Sequence, residues 1–219
     1  LRERLYLVIT EEEDSFDVMD AIATESAIWA PQFELVRQYS VTELEKKSQN
    51  DIMHNILNGK IDSISELQKN TSLLGVPING SFRVIVFGLK GEDRDKRDFK
   101  SKISDTNLLS DAIACQMINV KIYNDLDRIV VVKEVNKEQT QEEYRQEIRE
   151  IVDKVQAYVS RQDKELQVKA GVGKVVEGVI NLPDSFKEAN EAFTFCRYCR
   201  RDFRGWKLSG DIIFRPWHF

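Results

Sequence analysis

The chain has few metal-binding or disulfide-forming side chains, with three cysteines and two histidines in 219 residues. A small, odd number of cysteines does not suggest a disulfide framework. Cys196 and Cys199 form a C-x-x-C pair. A structural zinc ion needs four ligands, and the other candidates, Cys115, His54 and His218, have no companion at metal-ligand spacing. We therefore expect ordinary thiols, and a metal or redox switch at the C-x-x-C pair remains the alternative.

Long apolar runs and an excess of basic residues are also missing. No run of about 18 apolar residues occurs, so the sequence predicts no membrane span. The 32 Lys and Arg residues are outnumbered by 37 Asp and Glu residues, giving a formal net charge of −5. Because neutralising phosphates needs a basic face, we do not expect this piece to bind DNA or RNA by itself.

The remaining composition, 42% hydrophobic and 32% charged, is typical of a soluble globular protein. The chain begins at Leu1 and shows no signal-peptide pattern. We expect a trimmed piece of a longer cytoplasmic protein.

The stretch "KAGVGKVVEG" contains Gly171, Gly173 and Gly178, between an apolar run and an amphipathic one. A dinucleotide-binding loop needs its third glycine at Val176, and a P-loop needs Lys followed by Ser or Thr where Val179 follows Gly178. Both phosphate-binding patterns fail. The glycines predict a turn at the end of a strand, without a bound phosphate.

The first quarter of the chain predicts a strand followed by a long helix. Arg4–Thr10 is strand-like, Asp14 or Ser15 is a plausible N-cap, Pro31 is expected to kink or interrupt the helix, and Gly59 ends it. The apolar positions are Phe16, Met19, Ile22, Ala23, Ala27, Ala30, Phe33, Val36, Leu44, Ile52, Met53, Ile56 and Leu57. So sparse a stripe predicts a helix that connects domains or pairs with a copy of itself.

A short helix and a buried strand are predicted next. Ser63 and Glu66 have capping-box spacing, Leu67, Leu73 and Leu74 form the apolar side, and Gly75 ends the helix. The β-branched and aromatic run "SFRVIVFGL" predicts a strand buried on both faces.

Seven further elements complete the pattern. A helical piece from Asn107 leads to the strand "MINVKIY", a polar turn over residues 124–127 and the strand "RIVVVKEV", which together indicate a hairpin. An amphipathic helix over Glu138–Arg161 precedes the strand "LQVKAGVG", and Ser185 with Glu188 predicts the cap of a last helix. The end, "GDIIFRPWHF", contains a short strand. This alternation predicts an α/β sandwich: a mixed sheet with helices on its faces.

Four stretches in this order, "NDIMHNILNGK", "ELQKNTSLLGV", "FRVIVF" and "AGVGKVVEGVINLPDSFKEANEAF", carry a resemblance to a known family. They resemble the GGDEF-like domain of PucR/CdaR-type transcriptional regulators, the regulators of purine and sugar-diacid catabolism. The family's "S-x-x-E-A-x-x-A" run corresponds to Ser185, Glu188, Ala189 and Ala192. The resemblance covers about three quarters of the chain and implies a degenerate GGDEF-like palm preceded by a long connecting helix.

The resemblance also implies a domain organisation and a role. Residues 1–13 would be the last strand of an N-terminal, GAF-like sensor, residues 14–59 its exit helix, and residues 60–219 the GGDEF-like regulatory domain. A C-terminal helix-turn-helix is expected outside this chain. We expect a homodimeric, non-catalytic regulatory fragment that reaches DNA only through that domain and responds to an unidentified small-molecule effector.

The turn Asn124-Asp125-Leu126-Asp127 decides between a relay and an enzyme. Diguanylate cyclases, to which the resemblance leads, use a glycine-glycine turn beside nucleotide and an acidic residue for the metal. Both glycines are missing here. Asp125 and Asp127 are compatible with metal binding, although two acids are ordinary in a turn. We expect no catalytic, cofactor-binding or metal-binding residue, and a nucleotide-binding or diguanylate-cyclase-like enzyme is the alternative.

Overall fold

The structure is a computed structural model. It describes residues 17–61, 63–91, 98–125, 127–136, 140–198, 207–209 and 212–214. The predicted strand at Arg4–Thr10 and the predicted caps Asp14 and Ser15 lie outside these ranges. The chain divides into two compact units, Leu1–Ser48 and Gln49–Phe219.

The first helix, α1, runs from Val18 to Leu57. At its start, the backbone N–H of Asp17 donates to Asp20 Oδ2 at 3.0 Å. Pro31 lies inside this helix, so the expectation that it interrupts the helix was wrong. Proline removes one backbone hydrogen bond, and the other turns of a forty-residue helix keep theirs.

Glycine ends the first two helices, as predicted. Gly59 and Gly75 have φ angles of 64° and 60°, in the left-handed region that favours glycine. At the end of α1, the N–H of Gly59 donates to Ile56 O at 3.0 Å and that of Lys60 donates to Asn55 O at 2.9 Å. These two bonds form a Schellman motif.

The second helix, α2, spans Ile64–Leu74. Its predicted cap is confirmed, because Ser63 Oγ accepts from the N–H of Glu66 at 3.1 Å. Its predicted apolar side is partly wrong: Leu73 is 57% exposed, and Thr71 is buried in its place. Thr71 can be buried because its hydroxyl donates to backbone carbonyls of the preceding turn.

The rest of the chain forms one sheet with helices around it. The strands are β1 Ser81–Lys90, β2 Val120–Asp125, β3 Arg128–Glu134, β4 Gln167–Glu177, β5 Lys207–Ser209 and β6 Ile212–Phe214. The helices are α3 Phe99–Gln116, α4 Gln141–Gln162 and α5 Leu182–Tyr198. The strand order is β2-β3-β1-β4-β6-β5, antiparallel except for the parallel pair β4 and β6. The predicted mixed α/β fold is confirmed.

The central strand β1 separates two apolar clusters. Phe82, Val84 and Val86 pack on one face with α5, α2 and the last turns of α1. The alternate residues Ile85 and Phe87 pack on the other face with α3 and α4. The prediction of a strand buried on both faces is confirmed. The amphipathic pattern of α4 predicts one apolar face, which is buried at Tyr144, Ile148, Ile151, Val152, Val155 and Val159 and partly buried at Tyr158.

The hairpin is tighter than the sequence predicts. Asp125 pairs with Arg128 and Asn124 pairs with Ile129, so only residues 126 and 127 remain for the loop. The expected four-residue turn was wrong because Asn124 and Asp125 continue the strand. Leu126 itself lies outside the described residues.

The glycines of "KAGVGKVVEG" do not together form a turn, which corrects the interpretation above. Gly171 and Gly173 lie within β4, and only Gly178, at φ 74°, lies at the turn. A Cβ at Gly171 would be 2.3 Å from Ala189 O, and one at Gly173 would be 2.0 Å from Ser185 O. The two strand glycines therefore let α5 pack directly on the backbone of β4.

Ser185 is not a helix cap, because α5 begins three residues before it. Its side chain is fully buried between α5 and the sheet. The hydroxyl accepts from the N–H of Val84 at 3.0 Å and donates to Lys174 O at 2.6 Å. It thereby joins β1 to β4 where their register shifts between Arg83 and Ile85.

Among the helices that the structure describes, none is long and apolar enough to cross a membrane.

Candidate functional site

The loop end of the β2–β3 hairpin carries the two carboxylates that the sequence analysis weighed as metal ligands. Arg128 contacts both of them: its Nη2 lies 2.9 Å from Asp125 Oδ2, and its Nε lies 3.7 Å from Asp127 Oδ1. Its Nη1 donates to Asn190 Oδ1 on α5 at 2.7 Å. The guanidinium therefore ties the hairpin to α5.

These contacts do not fit a magnesium–nucleotide site of the kind that the resemblance implies. A guanidinium already supplies the positive charge beside Asp125 and Asp127. Directly across the sheet from Arg128 is Gly88, which contributes no ligand. In the described part of the chain, no group of three or more His, Cys, Asp and Glu side chains is arranged to hold a metal ion.

The space beside Gly88 is filled by an aromatic ring. A Cβ on Gly88 would lie 2.4 Å from Phe193 Cζ, so the ring rests on bare backbone. Phe193 itself is buried. Its partner Gly88 lies more than a hundred residues earlier in the chain, so no local pattern indicates this contact.

A second polar contact joins the hairpin to the end of α1. Tyr123 OH and His54 Nδ1 are 2.7 Å apart, and Asn58 Nδ2 lies 3.4 Å from the same nitrogen. Burial, followed by the nearby charge of Asp125, raises the pKa of Tyr123 to about 12. His54, considered above as a zinc ligand, is engaged with this tyrosine.

A cleft of about 830 Å³ lies beside these contacts, between the last turn of α1 and α5. Leu57 and Phe186 line its apolar part, and Arg128, Lys187 and Asn190 line its polar part. An apolar wall with a few converging polar groups is the usual form of a small-molecule site. Arg128 in this cleft already bonds to Asp125 and Asn190.

The cysteines remain only partly described. Cys115 is an exposed free thiol on α3. The Cys196 side chain and all of Cys199 lie outside the described residues, so ordinary thiols at the C-x-x-C pair remain a prediction.

Comparison with known proteins identifies the domain. No curated protein matches the chain. Residues 58–195 match the family described as the GGDEF-like domain. The match covers more than half of the chain and extends from the end of α1 into α5, across the four antiparallel strands and the hairpin. The chain belongs to the GGDEF-like domain family.

Proposed function

We propose that this chain is a non-catalytic regulatory and dimerisation part of a bacterial transcriptional regulator of the PucR/CdaR type. In this proposal, α1 carries a signal from an effector-sensing domain, and a separate DNA-binding domain receives it. The observation on which the proposal chiefly rests is an exposed apolar stripe on α1.

The α1 stripe consists of Met19, Ile22, Trp29, Phe33, Val36 and Leu44. Ile22, Trp29 and Val36 repeat every seven residues, the spacing of one position in a coiled-coil heptad. All six side chains are between 54% and 74% exposed. Large apolar side chains in one continuous line indicate a surface that another molecule covers.

A second copy of the same helix fits this stripe well. From residue 19 to residue 44 the helix extends about 39 Å, at about 1.5 Å per residue, which is long enough for a two-helix coiled coil. Serines interrupt the stripe at Ser26 and Ser40, so it is too weak for a buried core helix and suits a reversible interface. A parallel pair would let a rotation or shift at one end of α1 reach both GGDEF-like domains together.

The hairpin supports the absence of catalysis. The strand pairing of Asn124 and Asp125 places side chains where the resemblance calls for bare glycine backbone. Arg128 binds the carboxylates that a metal would need. Both features favour a domain that transmits a signal over one that turns over nucleotide.

Sedimentation equilibrium tests the dimerisation part of the proposal. We expect the chain to be dimeric at micromolar concentration, and Trp29→Glu/Val36→Glu to be monomeric because it places charges in the stripe. Gln38→Glu/Thr42→Glu is the matched control, since both positions are exposed on the other side of the helix. A monomeric wild-type chain at high concentration would contradict the proposal.

Incubation with GTP and Mg²⁺, followed by chromatography, tests the non-catalytic part. We expect GTP to be recovered unchanged. A cyclic dinucleotide product would establish the enzyme alternative. GTP retained without turnover would instead make the domain a nucleotide sensor.

A further inference from the structure

Three buried polar side chains lie together without hydrogen-bond partners, at the end of β1 remote from the hairpin loop. The atoms are Ser81 Oγ, Arg83 Nε and Tyr144 OH. Ser81 and Arg83 are two residues apart on β1 and so point to the same face of the sheet, and Arg83 lies against the ring of Tyr144 on α4. Among the described residues, only one other buried side-chain atom, Arg128 Nε, is unpaired in this way.

Arg83 is the most unusual member of this group. It is 5% exposed, and its guanidinium carbon lies 4.1 Å from the centroid of the Tyr144 ring. Burial raises the pKa of Tyr144, and the guanidinium lies close enough to the tyrosine hydroxyl to oppose that rise, although Arg83 Nε and Tyr144 OH have no hydrogen-bond partner of regular geometry. Burial, above all, lowers the pKa of Arg83.

The neighbouring cations each have a carboxylate partner, whereas no carboxylate of the described residues forms an ion pair with Arg83. Lys133, directly across from Arg83 on β3, pairs with Glu147. Arg145, on α4, pairs with Glu142 at 2.8 Å. Arg83 therefore carries a positive charge that no carboxylate of the described residues neutralises by direct contact. Glu188 makes only a minor contribution to the pKa of Arg83.

An uncompensated buried guanidinium is costly, and arginine cannot escape the cost by losing its proton. Buried polar groups in native proteins have partners, which include water and ions as well as protein atoms. Three hydrogen-bond donors and a spare positive charge in one place are complementary to an anion with several oxygen atoms.

A cleft opens at the Ser81 and Lys133 side of this group, and Arg83 and Tyr144 are not among its lining residues. Its volume is about 640 Å³, and Ser81, Lys133, Val135 and Asn136 line it. The space is large compared with the roughly 30 Å³ share of a water molecule, so a small ion can enter. Glu134 also lines the cleft, and its negative charge would repel anions. Because this repulsion increases with the charge of the anion, it disfavours large polyanions more than small anions.

We propose that Ser81, Arg83, Lys133 and Tyr144 form a binding site for a small oxyanion of the phosphate or carboxylate class. Arg83 offers paired N–H donors, the two hydroxyls offer one donor each, and Lys133 is shared with Glu147. The site lies at the other end of the sheet from the hairpin cleft, and it stands independently of the proposed relay function.

Thermal unfolding and calorimetry of the full chain test the site with sodium phosphate, sodium acetate and sodium chloride at equal ionic strength. We expect saturable stabilisation by phosphate or acetate that chloride does not reproduce. In Arg83→Met the affinity should fall about tenfold or more, a loss of about 1.4 kcal/mol or more. Arg161→Met, at an exposed position in the last turn of α4, is the control and should bind like wild type.

Response to phosphate alone or to acetate alone would assign the ligand class. Should Arg83→Met fail to fold, Tyr144→Phe and Ser81→Ala each remove one donor and should each weaken binding several-fold. Equal responses to all three salts, no saturable response, or unchanged affinity in the variants would overturn the proposal, and ordered water would then be the partner of these groups.

Discussion

The close packing of α5 on β4 can be tested by adding one methyl group at Gly171. A Cβ there would be 2.3 Å from Ala189 O, 2.3 Å from Phe193 N and 2.7 Å from Phe193 Cα. All three are backbone atoms of one helix, so no side-chain rotation relieves the contact. Relief needs α5 to move about 1 Å outward, which would forfeit a quarter to a half of each affected dispersion contact.

The expected cost of Gly171→Ala follows from this displacement. Overpacking of a core costs about 1–3 kcal/mol where side chains can adjust, so we expect about 3 kcal/mol or more here. That is a large part of the 5–15 kcal/mol typical of a domain. Urea unfolding followed by far-UV circular dichroism measures the change, from the midpoint and the slope of the transition.

Gly75→Ala is the matched control for this substitution. At Gly75 the added Cβ would meet only the mobile Lys121 Nζ, at 3.6 Å, and the cost is backbone strain at φ 60°. We expect a loss of about 1–2 kcal/mol there. A Gly171→Ala variant within about 1 kcal/mol of wild type would refute the claim that α5 rests on strand backbone.

Three further experiments test the contacts around the sheet. Ser185→Ala leaves the N–H of Val84 and the carbonyl of Lys174 unpaired. Because each buried unpaired group costs about 1–3 kcal/mol, urea unfolding should show that the free energy of unfolding falls by about 2–4 kcal/mol. A fall below about 0.5 kcal/mol would exclude this bridging role. A double-mutant cycle with Asp125→Asn and Arg128→Met should give a coupling of about 1 kcal/mol for this partly exposed pair, and additive effects would show that the pair is not formed. The pKa of Tyr123 is raised in the folded state to about 12, from about 10 in the unfolded chain, so its contribution to stability is complete below pH 10 and is lost as the pH rises toward 12. Tyr123→Phe should therefore lose less stability than wild type between pH 9 and pH 12 in denaturant titrations, and identical pH dependence would contradict the shift.

Features that depend on local periodicity could be predicted from the sequence. The apolar residues of α4 recur with the 3.6-residue period of a helix, and charged residues lie between them. This pattern predicts both the helix and the face that is buried. The apolar run of β1 and the end signals Gly59 and Gly75 are likewise local, since left-handed backbone favours glycine whatever surrounds it.

Features that depend on packing between distant segments could not be predicted. Ser185 and Glu188 have the spacing of a helix cap, but α5 begins three residues before Ser185. The glycines of β4 allow α5 to pack closely on that strand, and Ser185 therefore lies in the core. Gly171 and Gly173 in the sequence look like a loop, because nothing local shows that a helix will rest on them. Pro31 does not interrupt α1, since a long helix tolerates one missing bond, and a kink at this residue stays a prediction.

The residues of the candidate site also divide into those that the sequence indicates and those that it does not. Asp125 and Asp127 could be singled out because both lie in the polar stretch that corresponds to the signature turn of diguanylate cyclases. Their partner Arg128 could not, because an arginine at the start of a strand has no distinctive signal, and Asn190 is 62 residues from it. The buried Arg83 was also missed, since it stands in an apolar run that predicts only a strand.

Cysteine cross-linking tests the central claim, a parallel dimer through the α1 stripe, most directly. In a background with Cys115, Cys196 and Cys199 changed to serine, Val36→Cys places a thiol in the stripe, and Gln38→Cys places one on the other side of the helix. Under mild oxidation we predict a covalent dimer for Val36→Cys and none for Gln38→Cys. Equal cross-linking of both variants, or of neither, would contradict the account.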